Sequence, residues 1–253
     1  MSSLVIAGVT FACTFGGALV GMFLRAVLPD RHLSSDSKDI IKMGTGLIAT
    51  MAALVLGLLI ASAKSTLDGQ RTGFQQLATN VVLLDRTLAH YGPEAKAARE
   101  VLRSTVASAI DRLWPAAGSP SSGLAAPEIT ASGMALYDAI RDLSPHTDAQ
   151  RAAQSQALQI TADLGKTRLL LSQRDDGSIP APFLAVLVFW LTVLFISFGL
   201  FSPRNATVIV VLLVCALSVA SALLLIVDMA QPFEGLFQIS SAPLRNALSQ
   251  LGQ

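Results

Sequence analysis

An acid, a proline and a glycine follow the last apolar run of the chain in a pattern that could hold an ion. Residues 206–227 carry no charge, and a helix of that length spans roughly 33 Å, about the thickness of a bilayer core. Asp228 therefore lies where hydrocarbon gives way to headgroups. Pro232 ends the helix, because proline disfavours helical geometry in the residue before it. Phe233 adds an apolar ring at the interface and Gly235 permits a sharp turn, so these residues predict an ion or substrate site.

Two roles for Asp228 are compatible with this pattern. The carboxylate could cap the interface or form a salt bridge with Lys64 or Arg71, which would make it structural. Alternatively, it could act directly in gating or ion binding. The sequence leaves both roles open.

A second candidate site is one face of the helix predicted for residues 43–63 and its continuation. On a helical wheel, small or polar residues fall within about 80° of one another. The opposite side holds Ile48, Val55 and Leu59. The members of this small face are Gly46, Thr50, Ala53, Gly57, Ala61 and Lys64, followed by Asp68, Arg71 and Gln75.

The small face has two interpretations. Small residues let membrane helices approach closely, so the face could serve only for packing. It could instead line a water-filled path with Lys64 and Arg71 at its mouth. These two cations would favour anions, and Asp68 would temper their field.

Composition places the chain in a membrane. It is 52% hydrophobic and only 14% charged, and its mean hydropathy is +0.58. A soluble domain carries about 25% charged residues. The formal net charge of +1 gives no indication of a nucleic-acid partner. We therefore expect the lipid bilayer to be the main surroundings of the chain.

Charge-free segments define the expected fold, which is all-α. Four of them are long enough to span a bilayer: residues 4–24, 43–63, 182–201 and 206–227. We expect four transmembrane helices in two hairpins with a helical soluble bundle between them. The first turn would cover residues 29–39 and the second residues 202–205. The predicted organisation is a first transmembrane hairpin (1–63), a helical extramembrane bundle (64–180), a second transmembrane hairpin (181–230) and a C-terminal turn and tail (231–253).

The polar block between the hairpins is close to neutral and has helical periodicity. Nothing but scattered glycines interrupts the helix between Met43 and Tyr91, so the second span should continue into the block. Gly92 and Pro93 should end that helix. Within it, Asp85 next to Arg86 indicates a solvated ion pair or a contact inside the bundle.

Enzymatic and metal chemistry have little support in the sequence. The three histidines, His32, His90 and His146, share no acid at ligand spacing. No phosphate-binding glycine loop, nucleophile elbow or paired-carboxylate motif is visible. Cys13 and Cys215 lie inside apolar runs and suggest neither a metal site nor a disulfide. We expect no enzyme, no cofactor and no metal.

Several stretches resemble the bestrophin-like bacterial membrane proteins. They are residues 46–58, 83–86, 91–94, 189–190, 199–205, 228–235 and 240–245. The resemblance covers nearly the whole chain and implies an oligomeric channel with two helical hairpins and a long helical block. The chain has neither the acidic calcium-binding cluster of the animal bestrophins nor an aromatic residue in its second span. The resemblance therefore implies the arrangement of two helical hairpins with a long helical block between them.

Two hypotheses about function follow. The first is a homo-oligomeric ion channel in the bacterial cell membrane, conducting small inorganic ions through a pore lined by the second span. A four-helix subunit has little room for its own polar path, so a pore would need a ring of subunits. The second is a non-conducting scaffold or sensor whose bundle binds a partner. A symmetric ring with an axial hole would favour the first.

The orientation prediction rests on charge. An even number of spans places both termini and the polar block on one side of the membrane. The first turn is denser in basic residues, and the N-terminal tail is uncharged. The positive-inside rule then favours cytoplasmic turns and an extracytoplasmic bundle. True bestrophins have the reverse arrangement.

Overall fold

The computed structural model describes residues 3–27, 35–115, 123–124, 126–175, 181–230 and 238–252, and all regular structure in them is helical. This confirms the predicted all-α class. The described residues form eight α-helices: α1 Ser3–Val27, α2 Ser35–Tyr91, α3 Lys96–Leu113, α4 Pro127–Arg141, α5 Asp148–Asp175, α6 Ala181–Phe201, α7 Ala206–Met229 and α8 Ala242–Gln250. Within the described part of the chain, four of them are long and apolar enough to cross a membrane, namely α1, α2, α6 and α7.

Helix α2 is continuous from the apolar segment into the polar one, as predicted. It begins at Ser35, earlier than expected, so residues 35–39 are helical rather than part of a turn. Residues 29–34 of the predicted first turn lie outside the described part of the chain. The helix ends where predicted, because Gly92 has φ of 126°, a conformation that L side chains rarely adopt. A short 3₁₀ turn, Pro93–Ala95, then leads into α3.

The chain divides into two compact units, Met1–Ser65 with Ser178–Ala230, and Thr66–Gly177 with Gln231–Gln253. In the first unit, α1 packs on α6 and α7. Glycines make the α1–α6 crossing close: a Cβ on Gly21 would overlap the carbonyl oxygen of Ile196, and a Cβ on Gly199 would overlap that of Ala18. A Cβ on Gly17 would lie 3.1 Å from the carbonyl oxygen of Thr192. Gly17 and Gly21 are four residues apart on one face of α1, the spacing at which small residues let two membrane helices approach closely.

Helix α2 contributes one face to the core of the first unit. Ala52 and Ala63 are buried there with Leu187 of α6 and Leu223 of α7. Val55 and Leu59, predicted to lie opposite the small face, pack against this cluster. The pairing of the spans into two hairpins stays a prediction.

The second unit has its own apolar core, to which Leu88 of α2, Leu102 of α3 and Ile140 of α4 contribute fully buried side chains. Trp114 packs edge-to-face on Phe74, with ring centroids 5.4 Å apart. Its indole N–H donates to the carbonyl oxygen of Ile239 at 2.8 Å. This bond attaches the C-terminal segment to the rest of the second unit.

Candidate functional site

The small face of α2 is exposed in the single chain. Every member from Gly46 to Gln75 is exposed, although the helix buries Ala52 and Ala63 on its other side. A Cβ built on Gly46 or Gly57 meets no atom within 4 Å. Packing inside one chain therefore does not explain why these residues are small.

A ridge of large apolar residues runs beside the small face on α2. Leu54 and Leu58 are 77% and 69% exposed, and Leu47 is 64% exposed. At 100° per residue, Leu54 and Leu58 lie about 60° and 100° around the helix from Gly57. The helix therefore offers two adjacent unpacked surfaces to its surroundings, one small and weakly polar and one strongly apolar.

The charged continuation of the small face is also exposed. Lys64 belongs to the first unit, and Asp68 and Arg71 belong to the second. Both cations, Lys64 and Arg71, are therefore exposed and form no salt bridge within the described part of the chain.

Asp228 is buried near the end of α7, with a relative exposure of 3%. The hydroxyl of Ser3 donates to its Oδ1 at 3.5 Å, which brings the start of α1 to the end of α7. Leu223, Ile226 and Val227 are buried in the same stretch of the helix. A carboxylate in such surroundings needs polar partners, because its burial is costly without them. Pro232, Phe233 and Gly235, the other members of this predicted site, lie outside the described residues.

The turn between α6 and α7 is tied to α1. Arg204 donates from Nε and Nη2 to the carbonyl oxygen of Met22, at 3.2 and 2.8 Å. The side chain of Asn205 accepts from the backbone N–H of Val208 at 3.0 Å and caps α7. These bonds set where α7 begins and so contribute to the placement of Asp228 at its far end.

One polar cluster was missed by the sequence reasoning. Asp85 pairs with Arg99 of α3, at 2.7 Å between Nε and Oδ1, and not with its neighbour Arg86. The backbone N–H of Gly252 donates to Oδ2 of the same carboxylate at 3.2 Å. Asp85 thus makes a contact inside the second unit, but with Arg99 in place of the neighbouring Arg86. No spacing rule would have identified either partner, because both are distant in sequence.

The described residues contain no group of three or more His, Cys, Asp or Glu side chains that could hold a metal ion. The acidic residues lie apart in the sequence: Asp68 is exposed on α2, Asp85 is buried further along α2, and Asp228 is buried near the end of α7. The candidate site therefore consists of an exposed helix face and, separately, a buried acid.

Comparison with known proteins identifies the family. The sequence model of the Bestrophin-like domain matches residues 12–244. The fold is similar to the crystal structure of a bacterial bestrophin homologue from Klebsiella pneumoniae, determined with a tryptophan-to-alanine mutation. That match has a TM-score of 0.67 at 15% sequence identity and covers 100% of this chain and 99% of the other. No curated protein sequence matches the chain. Because the family model spans nearly the whole chain, the protein belongs to the bestrophin-like family.

Proposed function

We propose that the chain is one subunit of a homo-oligomeric ion channel in the bacterial cell membrane, with a pore lined by the small face of α2. The observation that carries this proposal is that this face is bare in the single subunit. A helix facing only lipid gains nothing from a row of glycine and alanine beside exposed leucines. In a ring of subunits, the small face could point to the central axis while the leucine ridge contacts the adjacent subunit.

The two surfaces of α2 fit a ring in the following way. The small face, centred on Gly57, would point to the axis and leave room for ions and water. The ridge of Leu47, Leu54 and Leu58, turned by about 60–100°, would contact the adjacent subunit. Leucines in that contact would bury apolar surface, and glycines at the axis would keep the path wide.

Charge supports a preference for anions. Two exposed cations, Lys64 and Arg71, lie on the same face as the single acid Asp68. Repeated around a ring, these residues would give a positive field at one mouth of the pore. Asp228 would act separately, at the end of α7. Membership in the bestrophin-like family supports the proposal of a channel.

Oligomeric architecture tests the proposal. We expect light scattering of the purified protein to give a homo-oligomer, and electron microscopy to show a symmetric ring with α2 around an axial path. A monomer at all detergent concentrations would contradict the channel proposal. A dimer without an axial path would instead support the alternative of a non-conducting scaffold whose bundle binds a partner.

A further inference from the structure

The second unit contains an apolar cavity of about 500 Å³ that opens to the surface, where the lining residues Met134 and Tyr137 are 59% and 41% exposed. Its walls come mainly from α3, α4 and α5, with aliphatic side chains such as Val106, Leu136 and Leu164. The volume lies within the range of about 300–1,000 Å³ that is typical of pockets for small organic ligands. Apolar walls of this size favour a hydrocarbon chain over an inorganic ion.

Two glycines line the cavity, Gly133 of α4 and Gly165 of α5. A Cβ built on either residue meets no atom within 4 Å, so each position has open space beside it. Glycine within a helix costs about 1 kcal/mol relative to alanine. Both positions are thus suboptimal for the helix, and both leave empty the space that a side chain would occupy.

The lining also contains a cation. Arg168 of α5 donates from Nη1 to the hydroxyl of Thr130 at 2.9 Å, and no described carboxylate forms a salt bridge with it. The acid in the lining, Asp138, is paired with Arg141 at 3.2 Å. The guanidinium has five N–H donors, so several of them are available to a ligand.

We propose that this cavity binds an amphiphile with a single alkyl chain and a carboxylate head, such as a medium-chain fatty acid. The chain would fill the space beside Gly133 and Gly165, and the carboxylate would accept hydrogen bonds from Arg168. The site is separate from the proposed pore, and its test does not depend on conduction.

Photolabelling of the full chain in lipid nanodiscs tests this proposal. The probe is dodecanoic acid carrying a diazirine in its chain, and labelled peptides are mapped by mass spectrometry. We expect labelling of peptides from α4 and α5, and we expect unlabelled dodecanoate to reduce it more strongly than dodecanol. The neutral head of dodecanol cannot replace the carboxylate at Arg168, so the comparison separates head recognition from partition into lipid.

Substitutions sharpen the test. Gly133→Leu and Gly165→Leu should each lower labelling of α4 and α5 about tenfold or more, since a leucine occupies the space of the alkyl chain. Their melting temperatures should not fall, because the added side chains enter open space. Ala131→Leu, an exposed position on α4 outside the lining, is the control and should label normally. Arg168→Gln should remove the preference for dodecanoate over dodecanol.

Three outcomes would overturn the proposal. Labelling could be confined to α1, α6 and α7, which would show partition into the bilayer alone. The glycine variants could label as strongly as the wild type, so the cavity would not be the site. Dodecanol could compete as well as dodecanoate in the wild type, so Arg168 would not recognise the head.

Discussion

Arg99 of α3 donates two hydrogen bonds to the carboxylate of Asp85 on α2, from Nε to Oδ1 at 2.7 Å and from Nη2 to Oδ2 at 2.8 Å. The Asp85 side chain is only 6% exposed and that of Arg99 is 24% exposed, so the pair is largely shielded from water. The hydrogen bond to Asp85 raises the pKa of Arg99 and keeps the guanidinium charged. Together with the N–H of Gly252, the pair joins α2, α3 and the end of the chain.

Asp85→Asn should destabilise the second unit by about 2–3 kcal/mol. The amide keeps the shape of the carboxylate but leaves Arg99 without its counter-charge in a shielded place. Thermal unfolding of the purified protein, followed by tryptophan fluorescence, measures the effect.

The control for this prediction is Arg141→Gln. Arg141 pairs with Asp138 on the surface, where both side chains are more than half exposed. Its loss should cost no more than about 0.5 kcal/mol. If the two variants lower the free energy of unfolding equally, the Asp85–Arg99 pair stabilises the second unit no more than a surface ion pair does.

Gly21→Ala should disrupt packing in the first unit. The added methyl group would overlap the carbonyl oxygen of Ile196, which belongs to the backbone and cannot rotate away, so α1 and α6 must separate. We expect the free energy of unfolding to fall by more than about 1 kcal/mol and the yield of folded protein in detergent to be lower. Size-exclusion profiles and melting temperatures measure both.

Gly16→Ala provides the matched control on the same helix. A Cβ at Gly16 meets no atom within 4 Å, so the substitution adds helix propensity without a clash. It should be neutral or stabilising. A Gly21→Ala protein as stable as Gly16→Ala would contradict the close crossing of α1 and α6.

Local patterns in the sequence predicted the elements of this fold well. The charge-free runs gave the four candidate spans, and the lack of proline between Met43 and Tyr91 gave the continuity of α2. The φ of 126° at Gly92 explains why the helix ends there. These are properties of short stretches, and periodicity and backbone stereochemistry are enough to show them.

Partners distant along the chain could not be predicted in this way. Arg99 lies on another helix from Asp85, and Gly252 lies near the C-terminal end of the chain. The cavity beside Gly133 and Gly165 is lined by residues of several helices, and no single stretch of sequence shows how those helices pack. The small face of α2 was visible on a helical wheel, but only the structure shows that no other part of the single chain covers it.

Asp228→Asn should change ion flux or its pH dependence while leaving the oligomer intact. The substitution keeps size and hydrogen-bonding capacity and removes the charge. One charge within about 6 Å of an ion, at an effective dielectric constant near 20, contributes roughly 3 kcal/mol, which is enough to alter selectivity or occupancy. Flux into liposomes across a pH series gives the measurement, and light scattering checks the assembly.

Stability data separate the two roles of Asp228. Ser3→Ala removes the hydroxyl that donates to the carboxylate but keeps the charge, so it should leave flux nearly unchanged. If Asp228→Asn lowers the melting temperature and leaves flux as it was, then Asp228 is a structural residue at the junction of α1 and α7.

Orientation can be tested with one introduced thiol. Cys13 and Cys215 are the two native cysteines, and both would first be replaced by serine. Ala162 is exposed on α5, so Ala162→Cys should react with a membrane-impermeant maleimide added to whole spheroplasts if the bundle is extracytoplasmic. Reaction only after lysis would place the second unit in the cytoplasm and contradict the predicted orientation.

Halide flux into liposomes containing a pair of glycine variants tests the proposed pore most directly. Gly57 lies on the small face of α2, whereas Gly44 lies about 140° away around the same helix. Neither would place a Cβ within 4 Å of another atom, so neither leucine should disturb the fold of a single subunit. Leu58→Ala, on the adjacent ridge, serves as a third comparison and should have a milder effect than Gly57→Leu.

The wild type should conduct above empty liposomes, and Gly57→Leu should lower the flux per incorporated protein about tenfold or more, either by blocking the path or by breaking the ring. Gly44→Leu should conduct like the wild type. If correctly incorporated wild-type protein conducts no halide, or if the two leucine variants conduct equally, the small face of α2 does not line a pore.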